Sequence, residues 1–287
     1  MSSVVSPLPA YLPSLFTPAA SAGTTAGLLG TLYGYTSGTS IGASGNPVLA
    51  LQSAEQNETK QVALTAKQPD TARDVATFKA AVTAATSVQQ LLSNPTVMKV
   101  LLTANGLADQ IPYTALATKT LTSQINDSKS LVSQLTDTRW KSVVQTYDFA
   151  NKGLSVIQNP AVLDTIANAY AEVTWRQSLD ATTPGLSNAL TFRGQASSIT
   201  SVDQILGDPV MRTVVTTAVG IPQEIALQYL SAQEQAISSR LDISQFKDPQ
   251  FTERFIQRYL IAAAQGTSTS SPATLESLAM QSQGLVV

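Results

Sequence analysis

Residues 75–106 and 189–220 are two versions of one segment. VATFKAAVTAATSVQQLLSNPTVMKVLLTANG aligns with ALTFRGQASSITSVDQILGDPVMRTVVTTAVG at a constant offset of 114, without a gap. Thr77/Thr191, Phe78/Phe192, Thr86/Thr200, Ser87/Ser201, Val88/Val202, Gln90/Gln204, Leu92/Leu206, Pro95/Pro209 and Gly106/Gly220 are among the identities. Lys79/Arg193, Leu91/Ile205 and Asn94/Asp208 exchange like for like. Unrelated helices rarely hold register over such a length, so the chain contains a tandem duplication. A chain built twice must repeat its elements in one order, and no other feature of the sequence restricts the fold as much.

The correspondence continues outside the two segments with small drifts in offset. Asn46-Pro47 pairs with Asn159-Pro160 at 113, Asp137 and Trp140 pair with Asp248 and Phe251 at 111, and Tyr147 pairs with Tyr259 at 112. The duplicated unit is therefore about 46–149 and 159–262. The expected organisation is a tail at 1–45, a first copy at 46–149, a second at 150–264 and a second tail at 265–287.

One grammar recurs within the copies: Asn46-Pro47, Asn94-Pro95, Asn159-Pro160, Asp208-Pro209 and Asp248-Pro249. Asn or Asp accepts the free N–H groups of a first helical turn, and proline fits the position after it. Leu92, Ile157, Leu206 and Phe246 stand three residues before the last four prolines. The residues two and six after are Val97/Leu101, Val162/Ile166, Met211/Val215 and Phe251/Phe255. Side chains at i and i+4 share a helix face, so each helix offers an apolar stripe. Gly106 and Gly220 stand where the second helix should stop in a left-handed cap. These signals predict an all-α fold: a tandem duplication of a helix–bend–helix unit packed into a bundle, with irregular ends. Trp140 and Phe251 are read as core anchors beside the second cap rather than as ligand-binding aromatics.

Composition narrows the chemistry. The chain has 287 residues, enough for a sizeable core, and a net charge of −2 with pI about 5.2. Nothing there calls for nucleic acid, whose phosphates require a basic face. No run of eighteen apolar residues suggests a membrane span. Cysteine and histidine are both absent, which removes thiol nucleophiles, disulfides, the commonest general base and the commonest transition-metal ligand. Gly38-Thr39-Ser40-Ile41-Gly42 matches a nucleophile elbow, but that chemistry needs a histidine to take the serine proton. Asp137, Asp208 and Asp248 could be carboxylates of a glycosidase-like pair, yet helix capping already accounts for them. No catalytic, cofactor-binding or metal-ligating residue is assigned, and no small-molecule substrate is expected.

The ends have a different texture. Residues 1–54 carry no charged side chain, with Pro7, Pro9, Pro13 and Pro18 followed by a Gly/Ser/Thr-rich run. Ala20-Ser21-Ala22 faintly resembles a signal-peptidase site, but the basic n-region is missing, so no cleaved signal is expected. The segment is read either as a disordered tail or as an assembly segment that orders on binding. Residues 265–287 carry Glu276 alone, could start a short helix at Ser271-Pro272, and close on Leu285-Val286-Val287.

SVQQLLSNPTVMKVLLTANGL (87–107), followed by LVSQLTDTRWKSVVQTYDF (131–149), resembles a bacterial family of uncharacterised helical domains. Its pattern is S-V-x-x-Φ-L-x-D-P-x-Φ, then Gly-Leu after the helix, then a second D-P-R-aromatic. The resemblance covers 75–149 and, less closely, 189–262. Asn94 stands for the usual Asp, Thr138 for the second Pro, and Gly220-Ile221 for Gly-Leu. Members are often encoded among flagellar genes, so the resemblance implies an all-α fold and an association with the flagellum. Proteins exported through the flagellar channel also resemble this chain in lacking cysteine and in being rich in Ala, Ser, Thr and Gln. The expectation that follows is a non-enzymatic structural or assembly component of the bacterial flagellum, exported without a cleaved signal. Its partners would be other flagellar proteins or copies of itself, as a homo-oligomer. The alternative is a soluble cytoplasmic adaptor or chaperone that binds partner helices in an apolar groove.

Overall fold

The computed structural model describes residues 46–269. The two tails beyond the helices lie outside the described residues, and so do the Gly38–Gly42 motif, Ala20-Ser21-Ala22 and Ser271-Pro272. Among the described residues every regular element is a helix, as the capping grammar predicts.

The first copy runs α1 (Pro47–Ala66), α2 (Pro69–Ala84), α3 (Val88–Leu92), α4 (Pro95–Ala104), a 3-10 turn (Ala108–Gln110), α5 (Thr114–Leu121), α6 (Leu131–Gln134) and α7 (Thr138–Tyr147). A short α8 (Phe149–Lys152) leads out of it. The second copy repeats that order: α9 (Pro160–Leu179), α10 (Leu186–Gln195), α11 (Val202–Gly207), α12 (Pro209–Ala218), a 3-10 turn (Gln223–Leu227) and α13 (Leu230–Ser238). A 3-10 turn (Ile243–Lys247) then stands where α6 stood, and α14 (Pro249–Thr269) stands in the place of α7.

The shared residues are shared for local reasons. Asn94 accepts from the N–H groups of Thr96 and Val97 at 2.9 and 3.2 Å, and Asp208 accepts from those of Val210 and Met211 at 2.8 and 3.2 Å. Asn46, Asn159, Asp137 and Asp248 cap their helices in the same way. Each such cap is worth about 1 kcal/mol. At the far end of α4 the Leu107 N–H reaches the Leu102 carbonyl and the Gly106 N–H reaches that of Thr103. Ile221 and Gly220 repeat both bonds on Thr216 and Thr217. This closure requires the positive φ of Gly106 (72°) and Gly220 (67°), which glycine adopts without steric cost.

Apolar residues collect into two cores. The first holds Phe78, Val82, Leu91, Leu92, Val97, Leu101, Trp140, Val143 and Tyr147; the second holds their counterparts Phe192, Ala196, Ile205, Leu206, Met211, Val215 and Tyr259. The expectation for Trp140 holds, and Phe251, though only partly buried, packs on the second core.

The sequence leaves open how the copies sit together, and the answer is an exchange. Helix α1 begins the first copy but places Ala50, Leu51 and Ala54 in the second core. Its counterpart α9 begins the second copy but places Leu163, Ile166, Ala169 and Tyr170 in the first. Farther along, α9 turns Trp175 and Leu179 to the second core, so this one helix belongs to both. Helices α1 and α9 also pack on each other, and α9 lies against α4. Completely burying one side chain such as Leu51 stabilises by about 1.5–3 kcal/mol, so neither core is whole without the helix lent by the other copy.

Candidate functional site

Two places in this fold collect features that the cores do not use: a cleft between the copies and an apolar ridge on the second copy. The cleft has a volume of about 310 Å³ and takes lining from both copies, including Asp109, Arg139, Arg176, Asn188, Asp208 and Thr213.

Arg139 forms one wall and is only 2% exposed. Its Nε donates to both carboxylate oxygens of Asp137 at 3.0 and 3.2 Å. Nη1 donates to the Gly106 carbonyl at 2.6 Å and to Asp109 Oδ1 at 2.9 Å. Nη2 donates to Asp109 Oδ2 at 2.9 Å and to Asp137 Oδ2 at 2.6 Å. All five N–H groups of the guanidinium are thus engaged. The group is a lock that ties the cap of α7 to the closure of α4. Burial pushes the Asp109 carboxyl up, but hydrogen bonds from Arg139 and Gln110 outweigh it and hold it below the usual range. Burial likewise works against the charge of Arg139, and its two carboxylate partners reverse that, so it stays cationic.

Arg176, which also lines the cleft, is less well satisfied. Arg176 on α9 pairs with Glu58 on α1 at 3.0 Å and with Glu172 one turn away. Its Nε is buried without a hydrogen-bond partner among the described residues. Nearby, Arg193 on α10 meets Glu55 on α1 at 2.8 Å. Burial raises the Glu172 carboxyl, with Arg176 pulling it down and Glu58 adding to the rise. Burial also raises Glu55, against Arg193, with Glu253 and Glu58 adding to it. The seam therefore holds more carboxylate than cation.

The ridge is apolar and open. Leu227 is 86% exposed, Tyr229 88% and Leu230 57%, around the turn that enters α13. Their neighbours Ile225 and Ile237 pack inward on the second core. In the first copy Tyr113 occupies the same N-cap position before α5 and is 59% exposed. Isolated exposed apolar residues are ordinary, but three within four positions make one apolar patch on the described fold.

Asp137, Asp208 and Asp248 stand where the sequence places them, on helix caps, and Asp208 also lines the cleft together with Asp109 and Arg139. Arg139 stands at the arginine of the D-P-R-aromatic pattern, but its burial and its partner Asp109 are not readable from spacing, and the ridge is what sequence reading missed. A signal for the ridge exists: Ile225 and Ile237 satisfy the inward stripe of IPQEIALQYLSAQEQAIS, which leaves Leu227, Tyr229 and Leu230 without an assigned face. Among the described residues no three potential metal-ligating side chains cluster, and no helix is long and apolar enough to cross a membrane.

Comparison with known proteins places the chain in context. The sequence model of a family described as "Protein of unknown function (DUF1217)" matches residues 104–252, just over half of the chain. That span crosses the junction between the copies, whereas the resemblance read from sequence follows each copy separately. The chain is also similar to an X-ray structure of a structural-genomics target from Agrobacterium tumefaciens. The two are 23% identical, superpose with a TM-score of 0.64, and the match covers 75% of this chain and 91% of the other. This likeness establishes the fold. No curated protein matches the sequence.

Proposed function

The chain belongs to the DUF1217 family, and from that premise we propose that it is a non-enzymatic structural or assembly component of the bacterial flagellum. The observation that carries the assembly half of this reading is the ridge Leu227–Tyr229–Leu230, whose apolar area has no partner inside the described fold. Tyrosine held on a rigid helical frame is an anchor that protein contacts use, because it buries a large area at little conformational cost, and the two leucines widen the apolar area beside it. Arg139, the most buried cation, is spent on closing the first copy, which suits a rigid frame better than a reacting site. The flagellar half rests on the repeated S-V-x-x-Φ-L-x-[DN]-P units and on the gene neighbourhood of the family they resemble. In this reading the helical middle is the frame and the charge-poor ends extend its contacts.

Fractionation of flagellated cells tests the proposal. The protein should co-purify with sheared or detergent-extracted flagella. A protein confined to the cytosol and absent from those preparations overturns the structural reading and favours the adaptor instead. Deleting residues 1–45 should block incorporation while leaving the helical content measured by circular dichroism unchanged.

A further inference from the structure

The second copy carries a basic pocket between the turn after α13 and the first half of α14. Its volume is about 360 Å³, and Arg240, Arg254 and Arg258 stand around it. All three arginines are exposed, and none has a carboxylate partner among the described residues. Asp242 is the one carboxylate in the lining, and it accepts the Ser244 N–H at 2.9 Å. The pocket therefore sets three cations against one anion, in a chain whose net charge is −2.

The scaffold does not ask for this charge. Arg254 and Arg258 stand four residues apart on α14, a spacing at which like charges repel and weaken a helix. The offset of 112 that pairs Tyr147 with Tyr259 sets Ser142 and Thr146 at their places in the first copy. The offset of 116 that pairs Tyr113 with Tyr229 sets Gln124 at the place of Arg240. The first copy thus closes the same helices with neutral residues at all three positions. Two of the guanidinium groups are also held in place. Arg258 lies 5.4 Å from the centre of the Phe255 ring, and Arg240 Nη1 donates to the Ala236 carbonyl at 2.9 Å. The fold therefore holds these cations together at a standing cost in repulsion and supplies no anion to relieve it.

We propose that this pocket binds a phosphate group, carried by a small phosphomonoester. A phosphate group brings about two negative charges and three terminal oxygens, which match an excess of two cations and three guanidinium forks. A single carboxylate brings one charge and two oxygens and leaves one arginine unmatched. The volume lies within the roughly 300–1,000 Å³ of small-molecule sites, so it has room for more than a bare phosphate. Phe251, half-buried on the pocket wall, gives the organic part of the ester an apolar surface. Such binding is independent of the assembly reading above.

Isothermal titration calorimetry on the full chain, in phosphate-free buffer at constant ionic strength, tests this with phenyl phosphate, inorganic phosphate and benzoate. Phenyl phosphate should bind at one site per chain, and benzoate, the same ring on a carboxylate, at least about tenfold more weakly. Arg254→Gln and Arg258→Gln should each weaken phenyl phosphate by about tenfold or more, as expected for one lost charge-assisted contact. Arg73→Gln, which removes an exposed arginine on α2, should leave the affinity unchanged. Arg254→Lys keeps the charge and loses the fork, so it should fall between wild type and Arg254→Gln, and it covers a glutamine variant that does not fold. Inorganic phosphate binding as tightly as phenyl phosphate keeps the phosphate site and overturns the ester. Benzoate binding as tightly, an equal loss with Arg73→Gln, or no saturable binding of phenyl phosphate up to roughly 10 mM overturns the site itself.

Discussion

The two copies close the same scaffold in two different ways. At the second cap the first copy has Asp137, Arg139 and Trp140, and it buries the arginine between two carboxylates and the Gly106 carbonyl. The second copy has Asp248, Gln250 and Phe251 there, and Gln250 is exposed. It compensates with rings: Phe192 lies 5.1 Å from Phe246 and 5.7 Å from Phe255, and Phe251 lies 5.8 Å and 5.9 Å from those same two. One closure is directional and polar, the other is apolar and tolerant of geometry. The lesson is that duplication preserves the backbone solution, namely caps and turns, while the side chains that hold it can be replaced wholesale. Copies that no longer rely on the same contacts are also free to expose different surfaces.

The largest expected effect separates the two closures at one equivalent pair. Phe78 and Phe192 are both fully buried, but only Phe192 stands among other rings. Either change to alanine leaves a cavity costing about 3–5 kcal/mol. Phe192→Ala should exceed Phe78→Ala by about 1 kcal/mol, the worth of its ring contacts beyond area. Urea unfolding of both variants measures the difference, and equal costs would mean the aromatic cluster adds nothing specific.

Next comes the charge lock. Arg139→Met leaves Asp137 and Asp109 facing each other without their cation, and breaking such a buried pair costs about 3 kcal/mol. Because Asp109 is half exposed, water will relieve part of that, and the lower end of the range is expected. The equivalent Gln250→Met should change stability by less than about 0.5 kcal/mol, as at an ordinary surface position. Similar losses at both sites would erase the distinction between the closures.

A smaller effect sharpens how the copies depend on each other. Leu51 precedes the whole first core in sequence but is buried in the second. Leu51→Ala should cost about 2–3 kcal/mol. In hydrogen exchange, the amides of α10, α12 and α14 should lose more protection than those of α2, α4 and α7. Loss concentrated in the first copy would mean that the exchange of α1 and α9 carries no energetic weight.

Much of this was legible in the sequence, and the reasons are local. Asn-Pro and Asp-Pro caps, the terminal glycines and the apolar stripes each act within a few residues, so periodicity and spacing reveal them. Even so, a local signal went unread: Ser87 and Gln90, like Ser201 and Gln204, form reciprocal caps. The Gln90 N–H donates to Ser87 Oγ while its side-chain oxygen accepts from the Thr86 N–H, and the second copy repeats both bonds. That reciprocity accounts for the identities Thr86/Thr200, Ser87/Ser201 and Gln90/Gln204. What spacing could not give was anything that depends on distance in sequence. Arg139 reaches Asp109 thirty residues away, and Arg176 meets Glu58 across more than a hundred. The exchange of α1 and α9 is of the same kind, since each helix carries an apolar stripe that either core could accept.

The smallest effect concerns pH and sets the seam against the first copy. Glu55 and Glu172 have carboxyls raised above 4.5 in the fold, so the folded state holds their protons more tightly than the unfolded chain does. Their contribution favours folding below 4.5 and is lost as pH rises through their folded values. Asp74 and Asp109 behave oppositely. Burial pushes both up, but Lys99 and Tyr170 at Asp74, and Arg139 at Asp109, hold them below 3.8, so their contribution is present above 3.8 and lost as pH falls through their folded values. Lowering pH from 7 toward about 5 should therefore raise the thermal midpoint slightly, by less than about 1 kcal/mol of stability because these groups are partly solvated. Further acidification below 3.8 should lower it, with the first copy losing protection first. Glu172→Gln, neutral at every pH, should reduce the rise and leave the acid loss in place. A midpoint that falls steadily from pH 7 downward would mean that Arg176 and Arg193 hold the seam carboxylates more firmly than burial opposes them.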